Sequence, residues 1–168
     1  MRWWCVVALL AGLAAEAGAA ERGPVVLVHY MPWYLTKPVS GVWGWHWTMD
    51  KFDPEKTGSD GRPEAATHDQ PLIGLYDSND AAVLECQVLQ MKLAGIDGVI
   101  VDWYGRAEFR DYAICHRNTL HLIAQLKRAG MKFAICYEDQ SLKHRVEAKQ
   151  LAASEALAAG KNELAFVA

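Results

Sequence analysis

The sequence predicts an α/β chain of the (β/α)8 or TIM-barrel type, and three observations carry this prediction. Apolar runs of strand length alternate with amphipathic stretches of helical period. Polar and aromatic residues follow each of the first three predicted strands, as in barrels that build their sites at the carboxyl ends of the strands. Met31-Pro32-Trp33-Tyr34 stands where a doubly wound nucleotide fold would have a Gly-rich loop. A complete barrel needs about 250 residues, so we expect these 168 residues to supply only its first three to four β/α units, a truncated barrel.

The apolar runs predict parallel strands that are covered on both faces. Three of them are complete and lie over residues 25–30, 99–101 and 132–137. A fourth run, residues 163–167, predicts the beginning of a fourth strand. Side chains alternate along a strand, so the third strand should turn Ala134 and Cys136 to one face and Phe133 and Ile135 to the helices.

Three stretches of helical period predict the helices. The first begins at the capping residues 77–80 and stops at Gly95, the second covers 118–129, and the third covers 141–159. The connection over 31–77 is far longer than an ordinary loop, and such length is typical of functional segments.

The first 20 residues have the pattern of a secretory signal peptide. They combine one Arg, an apolar run over residues 6–15 and small residues over 17–20 that suit signal peptidase. The apolar run is shorter than the roughly 20 residues that span a bilayer. We therefore expect a signal peptide at 1–20, a barrel portion at 21–168, a secreted or periplasmic location and no stable membrane association after cleavage. An uncleaved membrane anchor is the alternative.

The composition and charge of the chain indicate which kinds of partner it can bind. The chain is 52% hydrophobic and 22% charged, as in ordinary globular proteins, and its net charge is −3. The Lys and Arg residues are scattered, which argues against a nucleic-acid partner. We expect a carbohydrate or another uncharged small molecule as the partner, and no cofactor.

The aromatic residues indicate that the uncharged partner is a carbohydrate. Four of the seven Trp lie between residues 33 and 47. Aromatic faces stack on the C–H faces of pyranose rings, while Tyr, Trp and His polar atoms bind sugar hydroxyls. The density favours a sugar site over the alternative, a small core packed under the long connection. The candidate substrate-binding residues in this part of the chain are Tyr30, Trp33, Tyr34, His46 and Trp47.

Carboxylates follow the second and third strands. Asp102 and Trp103 end the second, and Glu138 follows the third. A carboxylate at this edge can act as acid, base, nucleophile or hydroxyl ligand. We therefore add Asp102, Trp103 and Glu138 to the candidate substrate contacts. Asp139 is better explained as a cap of the following helix.

The sequence favours neither a metal nor a disulfide framework. His29, His46 and Asp102 raise the alternative of a metal-dependent hydrolase, but no HxH or HExxH spacing is present. We expect no metal. The cysteines after the signal have no CxxC spacing, and we expect them to be buried small hydrophobes rather than a disulfide with a free thiol. They are Cys86, Cys115 and Cys136.

Taken in order, HYMPWY, GWHW, ECQVLQMKLAGIDGVIVDWYG and FAICYED resemble the N-terminal half of glycoside hydrolase family 99 and its relatives in family 71. The resemblance covers about residues 25–140 and implies a (β/α)8 barrel. Family 99 contains endo-acting α-mannosidases and α-mannanases that cleave with retention, and family 71 contains α-1,3-glucanases. The residues after Glu138 are Asp139-Gln140 where the mannosidases carry Pro-Tyr. This difference indicates a less characterised bacterial branch of the two families.

The resemblance also implies roles for single residues. Tyr30 matches a tyrosine of the substrate pocket, Trp103 a sugar-stacking tryptophan, and Glu138 a glutamate near the 2-hydroxyl of the reacting sugar. The family mechanism deprotonates this hydroxyl, which attacks the anomeric carbon to give an anhydrosugar, while a second carboxylate protonates the leaving oxygen. That catalytic pair comes from a late part of the barrel, so we expect it beyond residue 168.

These observations predict a retaining glycoside hydrolase that acts on an α-linked polysaccharide or glycan, α-mannan before α-glucan, with this chain as an incomplete and inactive part. The alternative from another class is a secreted, non-catalytic glycan-binding protein. A third hypothesis is that the chain is a fragment without function.

Overall fold

The structure is a computed structural model that describes residues 23–168, so the predicted signal peptide lies outside the described residues. Three parallel strands form one sheet in the order β1-β2-β3. They are β1 (Leu27–Tyr30), β2 (Gly98–Trp103) and β3 (Lys132–Tyr137). The helices are α1 (Lys37–Ser40), α2 (Trp45–Thr48), α3 (Ala81–Leu93), α4 (Tyr112–Arg128), α5 (Gln140–Glu147) and α6 (Ala156–Val167), with a short 3-10 helix at Ala153–Glu155. The α/β class and the first three strands are as predicted.

One face of the sheet packs against α3 and α4. The core between these layers consists of side chains that are at most 8% exposed, namely Leu84, Val88, Val99, Val101, Leu122, Leu126 and Met131. Each such side chain contributes roughly 1.5 to 3 kcal/mol to folding. We call this the helix-facing side of the sheet.

The opposite face of the sheet, which we call the open face, has a different character. Ala134 and Cys136 are exposed there, whereas Ile135 packs against the core. Phe133 lies on the helix side, with Lys127 of α4 5.8 Å from its ring centre. The predicted alternation along β3 is therefore confirmed. His29 of β1 is also exposed, so the open face is the polar one.

The long connection is tied to the sheet end by hydrogen bonds between its two ends. The fully buried Asp77 carboxylate accepts from the Thr36 backbone N–H at 2.6 Å. Ser78 bonds Tyr34 twice: its Oγ accepts from the Tyr34 N–H at 3.1 Å, and its own N–H donates to the Tyr34 carbonyl at 2.8 Å. Asp80 then caps α3, accepting from the N–H groups of residues 82 and 83. The capping prediction for this segment is confirmed.

Three predictions about helices and strands are wrong. The fourth strand predicted at 163–167 is part of α6. Short apolar runs do not distinguish strand from helix, and the Ala, Leu and Glu residues here are strong helix formers. The continuous helix predicted at 141–159 ends at Glu147, and Lys149 beyond it is left-handed with φ 58°. The second helix begins at Tyr112 rather than 118.

Within residues 23–168, no helix combines the length and the apolar character needed to cross a membrane.

Candidate functional site

A cleft of about 650 Å³ opens beyond the carboxyl ends of the strands. Its walls come from α2, from the loop between β2 and α4, from the first turn of α4 and from α5. The residues that line it are Trp45, His46, Tyr104, Arg110, Asp111, Tyr112 and His144. In parallel α/β proteins this end of the sheet is where ligands bind.

Four nearly parallel rings run beside the cleft. His46 stacks on Trp33 with ring centres 4.0 Å apart, and Trp33 faces Tyr104 at 6.5 Å. Tyr104 in turn stacks on Tyr112 at 5.2 Å. The angles between successive ring planes are 9°, 16° and 16°. Since three parts of the chain supply these rings, the stack fixes the long connection against the start of α4.

The one carboxylate among the lining residues is Asp111, which pairs with His46. His46 Nε2 lies 3.3 Å from Asp111 Oδ2, and both side chains are less than a third exposed. Burial acts to raise the pKa of Asp111, but the hydrogen bond and charge of His46, with the charge of Arg110, outweigh burial and bring this pKa below its usual range. Asp111 is therefore ionised at neutral pH. It can accept a hydrogen bond from a ligand hydroxyl but cannot act as a general acid.

Tyr104 connects the cleft to the end of β2. Its hydroxyl donates to Asp102 Oδ2 at 2.8 Å. Burial, followed by this hydrogen bond and the charge of Asp102, raises the pKa of Tyr104 far above its ordinary value. The phenol therefore stays neutral, and it holds the Asp102 carboxylate in place at the edge of the open face.

Arg110, Tyr112 and His144 form the other wall of the cleft. His144 Nδ1 lies 3.0 Å from the Tyr112 hydroxyl and 3.3 Å from Arg110 Nη1. A guanidinium only donates, so Nδ1 is an acceptor in this arrangement. The cleft thus offers a ligand the Arg110 guanidinium as a donor and the neighbouring Asp111 carboxylate as an acceptor.

The predicted site residues divide between this cleft and the protein interior. Trp33, His46 and Asp102 lie at the cleft or directly behind it, as described above. Tyr34 stacks on Trp47 with ring centres 4.1 Å apart, and the Trp47 indole is 1% exposed and donates to the Tyr76 carbonyl at 2.9 Å. Tyr34 and Trp47 thus belong to a small core under the long connection. Sugar contact by either one stays a prediction that this packing does not favour.

Tyr30 and Trp103 lie on the helix-facing side. The Tyr30 hydroxyl donates to Gln87 of α3 at 2.6 Å, and burial raises the pKa of Tyr30 well above its ordinary value. Trp103 is 1% exposed, donates from Nε1 to His116 Nδ1 of α4 at 3.1 Å, and is covered by Phe166 of α6 at 6.1 Å between ring centres. Trp103 has no exposed ring face, and Tyr30 is partly buried against the core. Their sugar-contact roles remain predictions from the resemblance.

The hydrogen bonds at the start of α5 differ from the prediction. Asp139 stands at the N-cap of α5 but its side chain makes no capping hydrogen bond. Glu138 instead accepts from the Gln140 N–H at 3.3 Å, while its own N–H donates to the Trp103 carbonyl at 2.8 Å. The prediction that Asp139 caps this helix is wrong. The role of Glu138 as a substrate contact stays a prediction, and its position after β3 agrees with the expected edge of the sheet.

Six residues of the cleft were absent from the predicted site residues: Trp45, Tyr104, Arg110, Asp111, Tyr112 and His144. The signal that could have found four of them is their position, because they lie in the loop after β2 or at its junction with α4. Loops after parallel strands carry the functional groups of barrels. His144 is inside a helix and gives no such signal.

A second group of side chains lies on the open face, one from each strand. His29 of β1, Asp102 of β2 and Cys136 of β3 place their nitrogen, oxygen and sulfur ligand atoms within 4.8 Å of one another. The prediction that all three cysteines are buried is wrong for Cys136, which is exposed, and for Cys86, which is half-buried. Only Cys115 is fully buried, and none of the three forms a disulfide.

The chain shares its fold with GH99 endo-α-mannosidases. Two structures of the GH99 endo-α-mannosidase from Bacteroides thetaiotaomicron, one in complex with BIS-TRIS-Propane, both match with a TM-score of 0.51, at 19% and 18% sequence identity. The match covers 73% of this chain and 35% and 37% of theirs, so this chain spans about a third of their length. This extent is consistent with the predicted N-terminal part, and the predicted resemblance is confirmed for the fold. No family model matches the sequence, and no curated protein matches it significantly.

Proposed function

We propose that this chain is the N-terminal part of a secreted or periplasmic glycoside hydrolase, a (β/α)8 barrel that binds an α-linked glycan, α-mannan before α-glucan, in the cleft beyond its strands. The observation that carries the proposal is the cleft itself. It combines aromatic rings, one ionised acceptor and several donors at the functional end of a sheet whose fold is that of GH99 endo-α-mannosidases.

The chemistry of the cleft suits a neutral sugar. Trp45 is 52% exposed and offers a ring face to a pyranose. Asp111 accepts from one hydroxyl, and Arg110 donates to another. A volume of about 650 Å³ is within the range of small-ligand pockets, which runs from roughly 300 to 1,000 Å³.

Hydrolysis needs groups that the cleft does not supply. A retaining glycosidase commonly uses two carboxylates about 5 Å apart, whereas Asp111 alone lines this cleft and it is engaged by His46. We propose that the catalytic pair lies beyond residue 168, with Glu138 near the 2-hydroxyl of the reacting sugar. The retaining mechanism is part of this proposal and rests on the family resemblance.

The same observation favours a second candidate function. A cleft with an aromatic platform and a single ionised carboxylate is also what a non-catalytic glycan-binding protein requires. The two functions share the binding step and differ only in whether a bound glycan is cleaved.

The test is calorimetric titration of the chain with α-mannan and α-1,3-glucan oligosaccharides. Asp111→Asn should weaken binding about 10-fold or more, because a hydrogen bond to a charged group contributes about 1.5 to 3 kcal/mol. Asp69→Asn is the matched control: His68 and Asp69 are also 3.3 Å apart, but their side chains are 97% and 95% exposed and remote from the cleft.

We expect binding without hydrolysis by these 168 residues, measured as released reducing ends. Equal affinity for wild type and Asp111→Asn would refute the cleft as the glycan site. Cleavage of either oligosaccharide would refute the proposed position of the catalytic pair.

A further inference from the structure

We propose that His29, Asp102 and Cys136 form a binding site for a divalent transition-metal ion, Zn²⁺ by its donor set, on the open face of the sheet. This inference goes beyond glycan binding. None of the three ligands lines the cleft, although Tyr104, which holds Asp102, does. From the sequence we expected no metal, and the proposed site differs from that expectation.

The three ligand atoms are close enough for small side-chain rotations to bring them to the spacing of a zinc site. Bonds of about 2.0 to 2.3 Å from a tetrahedral Zn²⁺ to nitrogen, oxygen and sulfur separate the ligand atoms by about 3.3 to 3.8 Å. The three ligand atoms here lie within 4.8 Å of one another. His29 and Cys136 are exposed, so small rotations of their side chains can close the difference.

The backbone holds the three positions firmly. Asp102 is paired directly with Cys136 in the β2–β3 register, and His29 is opposite Ile100, one step down on the same face of β2. Ligands carried by neighbouring strands of one sheet are better fixed in position than ligands carried by loops. Three strands thus bring together residues whose spacing in sequence gives no motif.

The central ligand is also oriented by a neighbour. Asp102 is 7% exposed, and its Oδ2 accepts from the Tyr104 hydroxyl at 2.8 Å, which leaves Oδ1 for a metal. Metal-binding side chains are commonly held by such a second hydrogen bond.

The charges balance and one coordination position remains. A carboxylate, a thiolate and a neutral imidazole carry two negative charges against the two positive charges of Zn²⁺. Three protein ligands with a water in the fourth position is the arrangement of catalytic zinc sites, whereas structural sites use four. A thiolate ligand excludes Mg²⁺ and Ca²⁺, which prefer oxygen.

The experiment is titration of the full chain with Co²⁺ in the absence of any glycan, followed by competition with Zn²⁺. We expect one equivalent of Co²⁺ to give the intense near-ultraviolet band of a cobalt thiolate together with tetrahedral visible bands, and Zn²⁺ to remove both. Cys136→Ser should abolish the thiolate band, while Cys86→Ser, at a half-buried cysteine outside the site, should retain it.

The histidine and the carboxylate are tested in the same way. His29→Gln and Asp102→Asn should each weaken Zn²⁺ binding at least 10-fold, and Tyr104→Phe should weaken it about 10-fold by freeing the carboxylate. His68→Gln, at a 97% exposed histidine, is the control and should change nothing. Circular dichroism of each variant shows whether it is folded. His29 and Cys136 are exposed, so we expect their variants to fold normally.

Absence of a thiolate band in the wild type would overturn the proposal. So would a band that survives Cys136→Ser, or equal Zn²⁺ affinity in the wild type and His29→Gln. Because the titration contains no sugar, it can fail while the glycan proposal holds, and the converse is also true.

Discussion

The two faces of the three-stranded sheet differ in what their side chains do. On the helix-facing side, Val99, Val101 and Trp103 of β2 are at most 1% exposed and pack against helices. On the open face, His29 and Cys136 are exposed and bring polar ligand atoms close together. Within one strand, successive residues therefore differ in surroundings: Val101 and Trp103 pack against helices, whereas Asp102 between them lies on the open face. A position in a functional motif must be assigned to a face before a role is inferred for it.

The largest effect should come from Trp103→Ala, a change on the helix-facing side. The indole fills a buried space between α4 and α6, so its loss should lower the free energy of unfolding by about 3 to 5 kcal/mol. Denaturant unfolding measures this loss. Trp45→Ala, at an exposed cleft residue, is the control and should cost less than about 1 kcal/mol. Equal losses in the two variants would contradict the assignment of Trp103 to the core.

Two adjacent residues of β2 allow a closer comparison of the faces. Val101 is fully buried against the helices, while Ile100 points to the open face and is half-buried. Val101→Ala should cost about 2 kcal/mol and Ile100→Ala about 1 kcal/mol, although isoleucine loses more atoms. The measurement is again denaturant unfolding. A larger loss for Ile100→Ala would show that the open face is covered in solution.

A smaller effect is expected at Tyr30, the last residue of β1. Tyr30→Phe removes the donor to Gln87 Oε1 and should cost about 1 kcal/mol. A double-mutant cycle with Gln87→Ala separates this hydrogen bond from other consequences of the substitution. We expect the second substitution to cost less in the Tyr30→Phe background, and strict additivity would mean that the two side chains do not interact.

The smallest expected effect is a pH dependence of the free energy of unfolding, caused by His116. Burial, followed by the charge of Arg106, lowers the pKa of His116, whose Nδ1 accepts from Trp103. The unfolded chain then binds more protons than the folded chain just below the ordinary histidine pKa of about 6.5. Stability should therefore fall as the pH drops through this window and be constant above it. Thermal unfolding of the wild type and His116→Gln measures it, and an equal acid dependence in both would argue against His116.

The sequence predicted the strands better than it predicted the last helix. The bounds of β3 agree residue for residue with the predicted run over 132–137, which is delimited by the turn at Gly130 on one side and by Glu138 and Asp139 on the other. Residues 163–167 gave the same signal but are helical. What decides between the two states is the contact of Phe166 with Trp103 and of Glu163 with Arg106 at 2.9 Å, which a local pattern does not contain.

The candidate site could be predicted only in part, for a similar reason. The clustered Trp residues identified the long connection as part of the candidate site. Whether each ring is exposed or buried depends on contacts with residues far along the chain. Trp47 is buried because the carbonyl of Tyr76 and the ring of Tyr34 meet it there. Cys136 was assigned to the core because no cysteine motif surrounds it, and only the register of three strands places it beside His29 and Asp102.

Arg110 has consequences for the design of new specificities. Its backbone is left-handed, with φ 51°, and it directly precedes Asp111. This conformation costs a non-glycine residue about 1 to 2 kcal/mol, a cost that glycine does not bear. Arg110→Gly should therefore keep the loop in shape while it deletes the guanidinium from the cleft wall. A charged side chain that lines the cleft can thus be removed at a position where the backbone conformation suits glycine better than arginine.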